Sequence, residues 1–237
     1  WGGSNDHALG VKNGSHLEMP GTGKSGMHDI LNAVKNGTLE ESVLDQRLDE
    51  LLRVIFATHQ ATVDGKGTTF NKEAHHKLAR KAAEESIVLL KNEEQILPLK
   101  QGTKVAVIGD FAKTPRYQGA GSSLVNPAMP PESILEEIKD SGLTMTAYEQ
   151  GYIRNRKPNA KLVKAAVDAA KNADVVLFFG GLDEISESEG LDRAHMHMPV
   201  AQDELINELT TVNKNVIVVL SAGSSVEMPW YPCLLYT

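Results

Sequence analysis

The feature that most constrains the fold is a regular alternation of short apolar runs with helical segments between residues 103 and 220. The apolar runs are Val105–Ile108, Leu143–Tyr148, Val175–Phe179 and Val216–Leu220, and the helical segments are 131–140, 162–170 and 199–212. Continuous β-branched runs separated by helices are typical of a parallel sheet that is covered on both faces. We therefore predict an α/β fold for this part of the chain.

The first part of the chain has a different, purely helical pattern. We predict loop for residues 1–26 and a short helix over 27–36 that ends at Asn36-Gly37. Thr38 and Glu41 have the spacing of a capping box. The helix that follows has apolar side chains on one face, with a helical period: Val43, Leu44, Leu48, Leu51, Leu52 and Ile55. Glycines and threonines over 61–71 predict an interdomain linker, and a further helix is predicted over 72–85.

Composition excludes several classes of function. The formal net charge is −7, and no stretch clusters Lys and Arg with aromatic residues, so we expect no nucleic-acid partner. No apolar run has the length of a membrane span, so we expect no membrane partner. Among the eight histidines, the neighbours His75 and His76 face apart on a helix, and His195 and His197 are expected to pack in a loop or face solvent. We predict no metal ion and no cofactor.

Both ends of the chain are expected to be cut. The chain opens at Trp1 rather than Met, so the absence of a signal peptide does not decide localisation, and a cytoplasmic location is our working expectation. The segment 231–237 ends in Cys-Leu-Leu-Tyr-Thr, which resembles the translation of a transposon-end sequencing adapter. We exclude this tail, including the single cysteine Cys233, from the fold prediction. The oligomeric state is not readable from the sequence.

An acidic loop supplies the candidate chemistry. Residues 186–193, Ser-Glu-Ser-Glu-Gly-Leu-Asp-Arg, follow the apolar run Val175–Phe179. Ligands of open α/β sheets gather at the carboxyl ends of the strands, so Glu187 and Glu189 are candidates for a general acid or base. In an extended loop the two side chains would point in opposite directions, and only one would face a substrate. The residues alone leave open which of the two it is, and also whether the loop is simply solvated.

A series of motifs along the chain resembles glycoside hydrolase family 3, the β-glucosidase-like enzymes. The motifs occur in the family's order and span residues 1–230. The segments that carry the resemblance are Glu18–Gly21 (Glu-Met-Pro-Gly), His75–Asn92, Gly119–Ser123 (Gly-Ala-Gly-Ser-Ser), Ser188–Arg193 (Ser-Glu-Gly-Leu-Asp-Arg) and Val226–Trp230 (Val-Glu-Met-Pro-Trp).

The resemblance implies a domain plan. Members of this family have a (β/α)8 barrel followed by an α/β sandwich, with the active site between them. Residues 1–60 are then expected to be the last loop and helix of the barrel, and 61–100 the linker. Residues 101–230 are expected to be a mostly parallel sandwich domain, incomplete at its end.

The resemblance also implies a mechanism, the retaining hydrolysis of terminal β-linked sugars. Such enzymes need two carboxyl groups about 5–5.5 Å apart, a nucleophile and an acid/base. The family's nucleophile is an Asp in a Ser-Asp-Trp motif, of which Trp1-Gly2-Gly3-Ser4 resembles the continuation, so it is expected one residue before Trp1. Asp6 does not occupy that position and is predicted to form an Asx turn. The acid/base corresponds to Glu189, with Glu187 as second choice, and its role requires a raised pKa.

Other site residues follow from the same resemblance. Trp1 is expected to offer an aromatic platform to the sugar. Ser122 and Ser123 lie in a loop that is expected to border the site, although a surface turn is the alternative. Asp192 and Arg193 are expected to form an ion pair that fixes the loop. The expected substrate is an oligosaccharide or an aryl or alkyl β-glycoside, and this chain alone is expected to have little or no activity.

Two other functions are alternatives for this chain. A nucleotide-binding module is indicated by Val105–Gly109 followed by Gly119 and Gly121, but these glycines lack the Gly-x-Gly-x-x-Gly spacing and no P-loop lysine is present. A relative that binds sugar without catalysis is the other alternative.

Overall fold

The computed structural model describes residues 4–65, 69–154 and 157–234. The chain divides into two compact units, Trp1–His75 and His76–Thr237, which are described separately. The helices of the N-terminal part are α1 (His7–Lys12), α2 (Lys24–Lys35), α3 (Glu41–Asp64) and α4 (Lys72–Ser86), the last of which contains the boundary. No helix among the described residues is long and apolar enough to cross a membrane.

The first unit has a small core around Val11, Ala33 and Leu39. Helix α1 falls within the segment that we predicted to be loop, so that prediction is wrong for these residues. The carboxylate of Asp6 starts the helix, because its Oδ1 accepts the backbone N–H of Leu9 at 2.9 Å. A capping interaction of this kind satisfies a backbone donor that the first turn leaves free.

The junction between α2 and α3 corrects a second prediction. Helix α2 ends at Asn36-Gly37 as predicted, since Gly37 adopts a φ of 73° and the Thr38 N–H reaches back to the carbonyl of Ala33 at 2.9 Å. This is the Schellman geometry. The Thr38 hydroxyl also donates to the Ala33 carbonyl, at 3.1 Å, and the residue that precedes α3 is Glu40. The predicted capping box of Thr38 with Glu41 is therefore wrong.

The second unit contains a four-stranded sheet in the order β2-β1-β3-β4, with every neighbouring pair parallel. Its strands are β1 (Lys104–Ile108), β2 (Thr144–Glu149), β3 (Val175–Gly181) and β4 (Val216–Ser221), and its helices after α4 are α5 (Asp110–Lys113), α6 (Ile134–Glu137), α7 (Ala160–Ala170) and α8 (Val200–Val212). All four predicted strands are confirmed, and so is the alternation of strands with helices.

The central strands β1 and β3 are buried on both faces, as predicted, whereas the edge strand β2 is exposed or half-buried. Along β1, Ala106 and Ile108 belong to one apolar cluster, which includes side chains of α7 and α8. Val105 and Val107 belong to a second cluster with Ile138. Because successive side chains of a strand point to opposite faces, these two clusters lie on opposite sides of the sheet.

The helix that we predicted to begin at Pro131 begins later. Ser133 accepts the N–H of Glu136 at 3.3 Å, and the Glu136 carboxylate accepts the Ser133 N–H at 2.9 Å. This capping box starts α6 at Ile134, and one turn of 3-10 helix, Ile138–Asp140, continues it. A reciprocal cap satisfies two backbone donors, which explains why Ser133 rather than Pro131 sets the start.

The end of the described chain packs on the larger core. Tyr231–Cys233 forms a turn of 3-10 helix, and Leu234 is buried in the same cluster as Trp230. The exclusion of this tail from the fold prediction is therefore wrong for Leu234. The adapter-like origin of the tail stays a prediction, as do the proposed domain boundaries at residues 60 and 100.

The strand order places a ligand crevice between β1 and β3. From β1 the chain passes to β2 on one side, and from β3 it passes to β4 on the other side. In open α/β sheets, ligands bind outside the carboxyl ends of the strands where this change of direction occurs. We call the connections that leave this edge the β1 loop (114–130), the β3 loop (182–198) and the β4 loop (222–229).

Candidate active site

The β1 loop and the β3 loop pair with each other directly above the β1–β3 crevice. Ala120 and Ser188 form a parallel bridge, and the N–H of Glu189 donates to the Ala120 carbonyl at 3.0 Å. Gly121 allows this close approach, because a Cβ on it would lie 2.6 Å from the Cβ of Glu189, and its φ is 95°. A side chain at this position would both clash and strain the backbone.

Glu189 is exposed, and its carboxylate is bound by Ser122. Oε2 accepts the Ser122 backbone N–H at 2.7 Å and also the Ser122 hydroxyl. These hydrogen bonds, the hydroxyl first and the backbone second, lower the pKa of Glu189 because they stabilise its ionised form. The direction is opposite to the raised pKa that we expected for an acid. In this chain neither burial nor a neighbouring carboxylate outweighs Ser122.

Glu187 has a different environment. One of its carboxylate oxygens lies 2.5 Å from Nη1 of Arg116, the Gly223 N–H donates to the carboxylate at 2.9 Å, and the Ser224 hydroxyl donates to it at 2.6 Å. Burial alone would raise the pKa of Glu187, but the hydrogen bonds from Ser224, Arg116 and Gly223 hold it below the usual value. These donors favour the ionised form of the carboxylate and occupy its two oxygens.

The carboxylates of the two glutamates therefore have different hydrogen-bond partners. The loop is made of turns rather than extended chain, so the alternation argument does not apply to it. The carboxylates still diverge, because Glu187 contacts the β4 loop and Glu189 contacts the β1 loop. A cleft of about 620 Å³ lies beside them and is lined by parts of all three loops, including Ser123, Arg193 and Ser224.

The structure corrects the prediction of an ion pair between Asp192 and Arg193. Within the described residues Asp192 and Arg193 form no ion pair; Arg193 Nη2 instead donates to the Ser224 hydroxyl at 2.8 Å and to the Ser225 carbonyl at 2.6 Å. Arg193 does fix the loop, but to backbone and hydroxyl groups of the β4 loop. Asp192 is exposed.

The remaining site residues have mixed outcomes. Ser122 contacts Glu189 rather than standing free for a sugar. Ser123 lines the cleft, with its hydroxyl 3.4 Å from the Ala120 carbonyl. Trp1 lies outside the described residues. The role of each of these residues in binding a substrate stays a prediction.

Sequence reasoning missed two arginines that contact the β3 loop. Arg116 Nη1 donates to the Leu182 carbonyl at 2.7 Å as well as to Glu187. Arg154 bonds to Asp110 at 2.5 Å and to Glu184 at 2.8 Å. No local motif marks either arginine; the only signal is a charged residue in a connection that leaves the same edge of a parallel sheet.

The described residues offer no place for a metal ion, since they contain no group of three or more His, Cys, Asp or Glu side chains arranged to hold one. The rings of His195 and His197 are tilted by 34° with their centroids 4.7 Å apart, and His197 Nδ1 lies 2.6 Å from the Glu227 carboxylate. The segment after β1 is also unsuited to a nucleotide. Its helix α5 is a single turn that begins at Asp110, whose negative charge would repel a pyrophosphate.

Comparison with known proteins decides the family. Residues 87–235 match the profile of the glycosyl hydrolase family 3 C-terminal domain. The chain belongs to glycoside hydrolase family 3. It is 43% identical over 233 residues to a thermostable beta-glucosidase B of Acetivibrio thermocellus, covering 97% of this chain and 30% of the relative. It is 38% identical over 241 residues to an exo-alpha-(1->6)-L-arabinopyranosidase of Bifidobacterium breve, covering 97% of this chain and 31% of that protein.

A solved structure agrees with this family assignment. The crystal structure of a family 3 beta-glucosidase from Bifidobacterium adolescentis superposes with a TM-score of 0.84 at 38% identity, covering 100% of this chain and 34% of that chain. This family 3 chain thus spans about a third of the length of the relatives that it matches. The predicted family and the predicted α/β fold class are confirmed.

Proposed function

We propose that the protein to which this chain belongs is a retaining β-glycosidase, with β-glucosides as its first substrates and Glu189 as its acid/base. The proposal has three supports: the family, the position of Glu189 at the β1–β3 crevice, and the names of relatives such as the beta-glucosidases of Acetivibrio thermocellus and Bifidobacterium adolescentis. The expected substrates are oligosaccharides and aryl or alkyl β-glycosides.

The observation that carries the choice of Glu189 is the contrast between the two carboxylates. A general acid must reach the glycosidic oxygen and exchange a proton with it within hydrogen-bond distance. Glu189 is exposed, and its only side-chain partner among the described residues is Ser122. The carboxylate of Glu187 already accepts hydrogen bonds from Arg116, Gly223 and Ser224.

Double displacement assigns two tasks to Glu189. In the first step the nucleophile attacks the anomeric carbon while protonated Glu189 gives its proton to the departing oxygen. In the second step ionised Glu189 removes a proton from the water that attacks the glycosyl-enzyme. The Ser122 hydrogen bonds favour the ionised form and so suit the second step. For the first step, a substrate that excludes water and a negatively charged nucleophile nearby would both raise the pKa of Glu189.

The nucleophile is proposed from the family pattern as the aspartate directly before Trp1. The sugar is proposed to be glucose because two of the relatives described above are named as beta-glucosidases. An arabinopyranoside is the second substrate to test, given the relative from Bifidobacterium breve.

The test uses the complete protein, expressed from its full gene, with the 237-residue chain alone as a control that is expected to be inactive. Glu189→Ala and Glu187→Ala are assayed on an activated dinitrophenyl β-glucoside and on an alkyl β-glucoside, with and without azide. Removing the acid/base is expected to lower turnover of the alkyl glucoside by about 10²–10⁴-fold. Azide should restore breakdown of the activated substrate by Glu189→Ala and yield a β-glucosyl azide.

Each other outcome has a definite meaning. Azide rescue of Glu187→Ala in place of Glu189→Ala would move the acid/base by two residues. An α-configured azide product would contradict retention. A complete protein that binds glucose but turns over none of the β-glucosides or arabinopyranosides would be a non-catalytic relative.

A further inference from the structure

Arg116 and Glu187 form an unusually buried ion pair beside the candidate acid/base. Their side chains are 8% and 12% exposed, and no other ion pair among the described residues has both side chains below 15%. Burying two charges costs desolvation energy, so a buried ion pair is weak evidence for stability alone. A role in fixing local geometry is the alternative, and the position of this pair favours it.

The pair joins three loops at the carboxyl edge of the sheet. Arg116 belongs to the β1 loop and donates both to Glu187 and to the carbonyl of Leu182, the first residue after β3. It therefore contacts the β3 loop at its start and again two residues before Glu189. Glu187 in turn accepts hydrogen bonds from Gly223 and Ser224 of the β4 loop.

The β1 loop and the β3 loop are joined a second time, at Glu189 itself. Ser122 of the β1 loop holds the carboxylate of Glu189, and this contact is exposed. Both Ser122 hydrogen bonds end on Oε2 of Glu189, so Oε1 is the oxygen that can exchange a proton with the glycosidic oxygen. The position of Oε1 depends on the loop that carries Glu189, and the buried contact at Arg116 fixes that loop two residues away.

We propose that the Arg116–Glu187 ion pair is a positioning pair that holds the β3 loop in place while Oε1 of Glu189 exchanges a proton with the substrate oxygen. The proposal rests on the proposed function of Glu189. Neither Arg116 nor Glu187 touches the reacting atoms. Their effect is on where Glu189 lies, and a displacement of about 1 Å in a catalytic group costs on the order of 10²-fold in rate.

The experiment compares two substrates on each preparation of the complete protein. The alkyl β-glucoside needs protonation of its leaving group, whereas the dinitrophenyl β-glucoside does not. Glu187→Gln keeps the shape of the side chain and removes its charge; Arg116→Lys keeps the charge and loses the planar fork. For both variants we expect kcat/KM on the alkyl glucoside to fall about 10–100-fold. The ratio of the alkyl to the dinitrophenyl rate should fall by a similar factor, with little change in KM.

The ratio of the two rates separates positioning from folding. A loss of folded protein lowers both rates equally and leaves the ratio unchanged. Glu184→Gln is the matched control. This variant breaks the ion pair that Glu184 of the β3 loop forms with Arg154 at 2.8 Å. Because the Glu184 side chain is 46% exposed, this ion pair contributes little, and both rates should stay near those of the parent.

The possible results discriminate clearly. A reduced ratio in Glu187→Gln or Arg116→Lys supports the proposal, and the second variant serves if the first yields no folded protein. An unchanged ratio in both, or an equal reduction in Glu184→Gln, overturns it. A complete parent protein without glycosidase activity contradicts the proposed function instead. If the parent is active and azide rescues Glu189→Ala, an unchanged ratio shows that only the positioning role has failed.

Discussion

The side-chain amide of Gln202 is almost completely buried and pairs with both backbone polar groups of Gly181. Gln202 lies on α8 and is 1% exposed. Its Oε1 accepts the Gly181 N–H at 2.8 Å, and its Nε2 donates to the Gly181 carbonyl at 2.9 Å. The side chain thus substitutes for a neighbouring strand at the end of β3. We expect Gln202→Met, which has a similar length and volume, to leave both groups of Gly181 without partners.

The size of the effect follows from the number of orphaned groups. A buried donor or acceptor that loses its partner costs about 1–3 kcal/mol, so two cost about 2–6 kcal/mol. The thioether regains some of this because it is apolar and fills the same space. We therefore expect the free energy of unfolding to fall by about 3 kcal/mol. With a urea slope of about 2 kcal/mol per molar, the midpoint should move down by about 1.5 M.

The assay is urea denaturation of the chain followed by the fluorescence of Trp230. Trp230 is 1% exposed and its Nε1 donates to Asp203 on α8 at 2.8 Å, so it reports on this helix. A Trp1→Phe background removes the other of the two tryptophans. Glu204→Met, on the exposed side of α8, is the control and should stay within about 0.5 kcal/mol of the parent. A midpoint for Gln202→Met equal to that of the control would refute the reasoning.

Two further predictions concern pH. Burial raises the pKa of Asp203 despite its hydrogen bond from Trp230, so the folded state holds the proton more tightly than the unfolded state. Asp203→Asn should therefore have a larger free energy of unfolding than the parent at neutral pH. This difference should vanish as the pH falls below the pKa that the carboxyl group has in the unfolded chain. A difference that stays constant across the titration would contradict the prediction. Ser122→Ala removes the hydroxyl that contributes most to lowering the pKa of Glu189. The basic limb of the pH profile of kcat/KM of the complete protein should therefore move to higher pH. A basic limb that does not move would show that this hydroxyl does not set the pKa of Glu189.

Secondary structure was predictable where burial alone decides it. The central strands β1 and β3 are largely apolar runs because the sheet is covered on both faces there, and such runs are readable without knowledge of their neighbours. Helix starts were less predictable. Thr38–Glu41 and Ser133–Glu136 have the same Ser/Thr-x-x-Glu signature, yet only the second forms a capping box. Thr38 bonds back to the carbonyl of Ala33, at the end of the preceding helix, so a competing local partner decided the outcome.

By itself the sequence determined the family, the α/β class and an acidic loop at the carboxyl edge of the sheet, because ordered motifs and apolar periodicity are local properties of a chain. It named Glu189 by motif but offered no physical reason to prefer it over Glu187. Only the tertiary structure gives the two carboxylates different partners, and the proposal of Glu189 as acid/base rests on that difference. The partners of the two carboxylates, Ser122 and Arg116, lie 67 and 71 residues away in sequence, so their contacts exist only once the sheet has placed the loops after β1 and β3 side by side.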